Sequence, residues 1–151
     1  HRDLHKEYRR QRQMCIRDSP GAPAVEVHCV DLSQPFTVSE QLIVPVAGQH
    51  NRLEVLGYRM ESFAYLPDIK TISDDEIRKL KGLDVLVLNA LREKPHHSHL
   101  NLEEAIELAQ QIGAKTTYFT HISHHLGFHA DVQKKLPKNV HLAYDNLTIT
   151  I

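Results

Sequence analysis

The chain has little that would tie it to an oxidising compartment, a membrane or a nucleic acid. Cysteine occurs twice in 151 residues, at Cys15 and Cys29. That excludes a disulfide framework and points to a reducing cytoplasm. No apolar run approaches the roughly 20 residues that span a bilayer, and residues 1–19 lack the apolar centre of a secretory signal. Net charge is nearly absent too, at -1, and unevenly spread. Residues 1–19 hold six Lys/Arg against three Asp/Glu, so the remainder is mildly acidic. An acidic body argues against a phosphate-backbone binder. What is left, 41% hydrophobic and 25% charged residues, is the composition of one modest globular domain with its own core.

The basic surplus sits in a segment unlike the rest. Within residues 11–19, QRQMCIRDS, the string MCIRDS is what ATG TGT ATA AGA GAC AG encodes, the end of a transposon adapter used in short-read DNA libraries. Residues 11–19 are therefore read as a non-native junction and kept out of the fold. Residues 1–10, HRDLHKEYRR, have helical composition and read as the stub of a helix.

From residue 25 the pattern is regular. VEVHCV alternates as a strand does; LIVPVAG and EVLGYRM read as two more strands with QHNRL between them, and SFAYL as a fourth. The period then changes. SDDEIRKLKG opens a helix, with Ser73 as N-cap, Glu76 at the capping-box spacing and Gly82 as its stop. DVLVLNA is a near-continuous apolar run, as in a strand covered on both faces. NLEEAIELAQQIG repeats the helix device: Asn101 caps, Glu104 returns, Leu102, Ala105, Ile106 and Ala109 form the apolar stripe, and Gly113 stops it. TTYFT is a strand, HADVQKKL a short helix, and VHLAY and LTITI closing strands joined at Asp145–Asn146. Strands first, then strand and helix in alternation, predict an α/β layered domain.

Histidine is the compositional outlier, with 12 residues, many bunched. On the strand map His50 follows LIVPVAG, Asp68 follows SFAYL, His99 lies in the loop after DVLVLNA, and His121 follows TTYFT. Loops at strand ends are where α/β folds build sites. Imidazole and carboxylate suit zinc, manganese or iron. The same residues also fit a non-catalytic binding or structural module with surface histidines. The two readings differ in geometry: a metal site needs the side chains to converge, and a module leaves them scattered.

THISHHLG together with LPKNVHLAYDNL resembles the C-terminal signature of metallo-β-lactamase-fold hydrolases, nearest the phosphoribosyl cyclic phosphate phosphodiesterase branch. The similarity runs back through HSHLNLEEAIELA, GLDVLVLNALR, FAYLPDIKTIS and VLGYR, covering roughly residues 20–151. The resemblance implies part of an αββα sandwich whose N-terminal portion is missing, a cytoplasmic hydrolase with two divalent metal ions (zinc or manganese), a small phosphate-ester substrate and a homodimeric parent. It implies His50 as ligand of one metal, Asp68 as the carboxylate bridging two, and His121 as ligand of the second. His99 matches the histidine that helps protonate a leaving group, and His124 a supporting residue behind the ligands. His96, His97, His125 and His129 are left as surface residues.

There are departures. Pro67 stands where the family has threonine, QHN replaces a more apolar context around His50, and Asn146 replaces a glycine. The HxHxDH loop that supplies most of the family's ligands is absent; HRDLH has the wrong spacing. The chain is expected to be the C-terminal part of a hydrolase, weak in metal binding and without turnover. Open sheet edges are expected to promote aggregation.

Overall fold

The computed structural model describes residue 31 and residues 34–151. The helix stub, the junction, both cysteines and the strand expected over VEVHCV lie outside the described residues.

Seven strands form one sheet in chain order: β1 (Phe36–Val38), β2 (Gln41–His50), β3 (Leu53–Met60), β4 (Phe63–Leu66), β5 (Val85–Asn89), β6 (Thr116–Thr120) and β7 (Val140–Leu142). β1 to β4 are antiparallel hairpins and β4 to β7 run parallel. Direction changes where the sequence period changes, because parallel neighbours need a crossover. The crossovers carry α1 (Asp74–Lys79), α2 (Leu102–Ile112) and α3 (His129–Gln133). The domain is α/β, as the alternation predicts. Among the described residues no helix is long and apolar enough to cross a membrane.

The hairpins are tighter than the sequence suggests. QHNRL is not a loop: Gln49, His50 and Leu53 belong to the β2–β3 ladder, and Asn51 and Arg52 alone make the turn. Asn51 takes φ 57, a left-handed conformation that asparagine tolerates. β1 has no clear sequence signal. It exists because Ser39 and Glu40 both take positive φ, 47 and 71, which closes a two-residue turn of matching twist. The closing strand expected over LTITI does not form. Asp145–Asn146 turns as expected, with Asn146 at φ 67 and Leu147 N–H bonded back to Tyr144 O at 3.1 Å. β7 is the last strand of the sheet among the described residues, and residues 147–151 do not pair with its free edge.

One sheet face, with Val46, Leu66, Leu86, Leu88, Phe119 and Leu142 buried, packs against Ile77, Leu80, Leu102, Ala105, Leu108 and Ile112. The stripe of α2 is thus centred a little later than Leu102–Ala109, and Ile106 sits half-buried at its margin. Both ends of α2 follow the sequence: the Asn101–Glu104 capping box is complete and Gly113 is left-handed at φ 77. α1 departs from it. Ser73 accepts from Glu76 N–H, but Glu76 does not return; its carboxylate accepts from Ala47 N–H of β2 at 2.8 Å and pairs with Lys79. The helix stops at Leu80, before Gly82.

Glu104 has a second duty. Lys70 Nζ lies 2.7 Å from each of its carboxylate oxygens, tying α2 to the segment after β4. Burial by itself would raise the Glu104 carboxyl, but Lys70 and the Asn101 N–H outweigh it and hold the group below its ordinary value. A carboxylate with a depressed folded pKa adds stability above its unfolded pKa and loses it as pH falls through the folded one. Acid titration followed by circular dichroism should show stability falling there, and Glu104→Gln should flatten that part of the curve.

Candidate metal centre

The site is built around Ile69, one of the most enclosed residues of the domain at 1% exposure. Its side chain lies on Gly48 of β2, where an added Cβ would come 2.6 Å from Ile69 Cγ2. Its N–H donates to the Oδ1 of buried Asn89, the last residue of β5, at 3.0 Å. Its carbonyl accepts from Leu100 N–H at 3.2 Å. Gln49 adds three backbone bonds to the same segment, donating to Thr71 O at 2.8 Å and accepting from Lys70 N–H at 2.7 Å and Thr71 N–H at 3.2 Å. Asp68 and His99 are the neighbours of Ile69 and Leu100, so these bonds fix both beside the end of β2. Pro67 lies past the last rung of the β4–β5 ladder and costs that ladder no hydrogen bond.

Asn89 carries no signal that sequence reading would pick out. An asparagine ending an apolar strand reads as a boundary, not as a clamp. Asn89→Ala should cost about 1–3 kcal/mol by leaving the buried Ile69 N–H unpaired. Urea unfolding of the two proteins checks this.

The remaining members arrive on the neighbouring strands. His50 is the last residue of β2 and shares its face with Val46 and Gly48. His121 follows β6 in a left-handed conformation, φ 56. That is rare for a residue with a Cβ and costs on the order of 1–3 kcal/mol. The strain is held by Ala90 N–H on Thr120 O and by Ser123, whose N–H and Oγ both bond Leu91 O.

These four side chains converge. Asp68 Oδ1 lies 2.8 Å from His99 Nε2, 3.5 Å from His50 Nε2 and 4.0 Å from His121 Nε2. His99 Nε2 is 3.3 Å from His50 Nε2 and 3.0 Å from His121 Nε2. The His99 and His121 rings stack with centroids 4.8 Å apart, and His50 meets His99 edge-on. Burial, with the nearby His121, His50 and His96 rings, holds His99 below the ordinary histidine range against the pull of Asp68. Asp68 Oδ1 is shut off from solvent and receives no aligned hydrogen bond among the described residues; the close approach of His99 Nε2 lacks the angle for one. A buried carboxylate oxygen without a donor, ringed by imidazole nitrogens, fits a divalent cation. The ligand atoms of His50, Asp68 and His99 lie within 4.8 Å of one another, so these three could hold it.

Two residues differ from the sequence map. His124 is exposed and its ring lies on His125, with centroids 3.8 Å apart, instead of beside the four. His96, taken as a surface residue, is half-buried with its Nδ1 3.1 Å from His99 Nδ1. The spacing of HHSH gave no means of telling His96 from His97.

Comparison with known proteins agrees with the fold. The chain is similar to a crystal structure of a diphosphatase from the PhnP family, at 40% identity and a TM-score of 0.80, over 83% of this chain and 49% of that one. It is 37% identical over 133 residues to a Porphyromonas gingivalis protein named octanoyltransferase, covering 87% of this chain and 27% of that protein. The chain thus spans about half of the first and about a quarter of the second. Zinc-bound PqqB from Methylobacterium extorquens, at 18% identity and a TM-score of 0.60 over 81% of this chain and 55% of that one, shares the fold. The sequence profile of the beta-lactamase superfamily domain matches residues 1–122. With that match and the 40% identity to the diphosphatase, the chain belongs to the beta-lactamase superfamily, among its metallo-β-lactamase-fold hydrolases.

Proposed function

We propose that these residues form part of the active site of a metal-dependent phosphodiesterase or diphosphatase acting on a small phosphate ester. The observation that carries the reading is the convergence of His50, Asp68, His99 and His121 on one point, with Asp68 Oδ1 left without a donor among the described residues. Similarity to a PhnP-family diphosphatase favours phosphoryl chemistry over acyl chemistry. A divalent cation there would supply water of lowered pKa and positive charge for the phosphoryl oxygens. His50, Asp68 and His121 are the proposed ligands, zinc and manganese the candidate ions. His99, pointing at the same spot, is the proposed acid of the intact parent, taking up a proton at Nε2 and passing it to the departing alkoxide; in this chain its Nε2 is also within reach of the cation held by His50 and Asp68. Without an HxHxDH loop the chain offers too few donors for two cations, since tight zinc sites take three or four protein ligands each.

The 151-residue chain should therefore bind one cation weakly and leave bis-p-nitrophenyl phosphate intact. Clear hydrolysis that disappears on His121→Ala would overturn that inactivity. For the chemistry itself, residues 31–151 can replace the matching half of the PhnP-family diphosphatase. The chimera should hydrolyse phosphodiester or diphosphate only with metal and lose this on Asp68→Asn. A folded, metal-loaded chimera that hydrolyses neither would rule out the proposed chemistry.

A further inference from the structure

Behind His99, on the side away from Asp68, lies a second set of contacts that the proposed chemistry does not use. Ser98 is 3% exposed. Its Oγ is 2.9 Å from His99 Nδ1 and 3.2 Å from His96 Nδ1. Its backbone N–H donates to the same His96 Nδ1 at 3.4 Å. The two Nδ1 atoms are 3.1 Å apart.

These distances constrain where the protons sit. A backbone amide only donates, so His96 Nδ1 is an acceptor and carries no proton. It can then also accept from the Ser98 hydroxyl. With its hydrogen turned toward His96, Ser98 Oγ presents lone pairs to His99, and His99 Nδ1–H donates to it. The opposite allocation, with Ser98 donating to His99, would set two bare Nδ1 lone pairs face to face at 3.1 Å. The remaining arrangements all keep the proton on His99 Nδ1: it donates to Ser98 Oγ, whose own hydrogen turns to His96 Nδ1, or it is shared between Ser98 Oγ and His96 Nδ1.

We propose that Ser98, backed by His96, is a positioning residue that holds His99 in the Nδ1–H tautomer and presents its Nε2 lone pair to the site. The unaligned 2.8 Å approach to Asp68 Oδ1 agrees with this, since a bare Nε2 cannot donate to the carboxylate. A lone pair and a carboxylate oxygen at that separation call for a cation or a shared proton. Ligating histidines commonly have the other ring nitrogen bonded in this way, and losing such a partner costs about 10–100-fold in metal affinity. The inference rests on the reading of His99 as part of a cation-binding hydrolytic site, but its test does not depend on turnover.

Long-range 1H–15N correlation spectra of the full, metal-free chain at mildly alkaline pH report the His99 tautomer directly. The Nδ1–H form should dominate in the original chain and in Ser98→Thr, which keeps the hydroxyl. In Ser98→Ala the ratio should move toward Nε2–H by about 3- to 10-fold, the range one ordinary hydrogen bond gives. His96→Ala, at a half-buried loop position, should move it the same way by less and serves if Ser98→Ala fails to fold. Zinc affinity should fall with the ratio and recover in Ser98→Thr. An Nε2–H tautomer in the original chain, or an unchanged ratio in the alanine variants, would overturn the proposal. A correct tautomer in a chimera that hydrolyses nothing would instead count against the phosphodiesterase reading alone.

Discussion

Asp68→Ala should weaken zinc or manganese binding to the full chain by more than about 100-fold. The estimate follows from scale: losing a hydrogen-bonding partner behind a ligand costs about 10–100-fold, and Asp68 is the ligand itself and the one carboxylate of the cluster. Its Oδ1 lies within 4.0 Å of all three Nε2 atoms. Asp68→Asn should fall in between, because the amide keeps an oxygen but loses the charge. His124→Ala, which removes an exposed ring tilted against His125, should leave affinity unchanged. Titration calorimetry separates the three. Equal affinity in all of them would mean that the metal sits on the surface histidines.

The site was legible from the sequence to the extent that strand ends were legible. His50, Asp68 and His121 fall at or just after the ends of three apolar stretches and His99 in the loop after a fourth; β4, β5 and β6 become parallel neighbours because helices alternate with them, and β2 joins them through the β3 hairpin. What could not be read was the apparatus that aims them. Ile69 looks like one more apolar residue, yet its N–H, carbonyl and side chain lock two site loops at once. Asn89, Ser98 and His96 act through hydrogen bonds between segments far apart in sequence or through loop conformation, and no periodicity reports either. Local rules also lost to tertiary partners. Glu76 sits at the capping-box spacing but bonds Ala47 N–H of β2, whereas Glu104 at the same spacing completes its box. LTITI alternates as a strand should and forms none, because alternation describes a strand's faces and says nothing about a neighbour to pair with.

The second large effect concerns stability. Phe119, on β6 two residues before His121, is fully buried in the sheet–helix core. Phe119→Ala should cost about 3–5 kcal/mol, the transfer energy of the ring plus the cavity left behind. Domains of this kind have roughly 5–15 kcal/mol in all, so the variant should lie near the unfolding transition or beyond it. Its urea midpoint should drop while the slope stays the same. Phe128→Ala removes a ring that is 84% exposed and should change the midpoint little. If Phe119→Ala remains soluble and folded, its zinc affinity should also fall, since β6 places the backbone that strains His121.

The proposed cation is shared by one carboxylate and three imidazoles, from the end of β2 and the segments after β4, β5 and β6. Anomalous X-ray diffraction at the zinc edge, on crystals of the full chain soaked in zinc, tests it most directly. The account predicts a peak about 2.0–2.2 Å from Asp68 Oδ1 and from at least two of the Nε2 atoms of His50, His99 and His121. A strong peak on the exposed paired rings of His124–His125 or on His97, with none at Asp68, would contradict it.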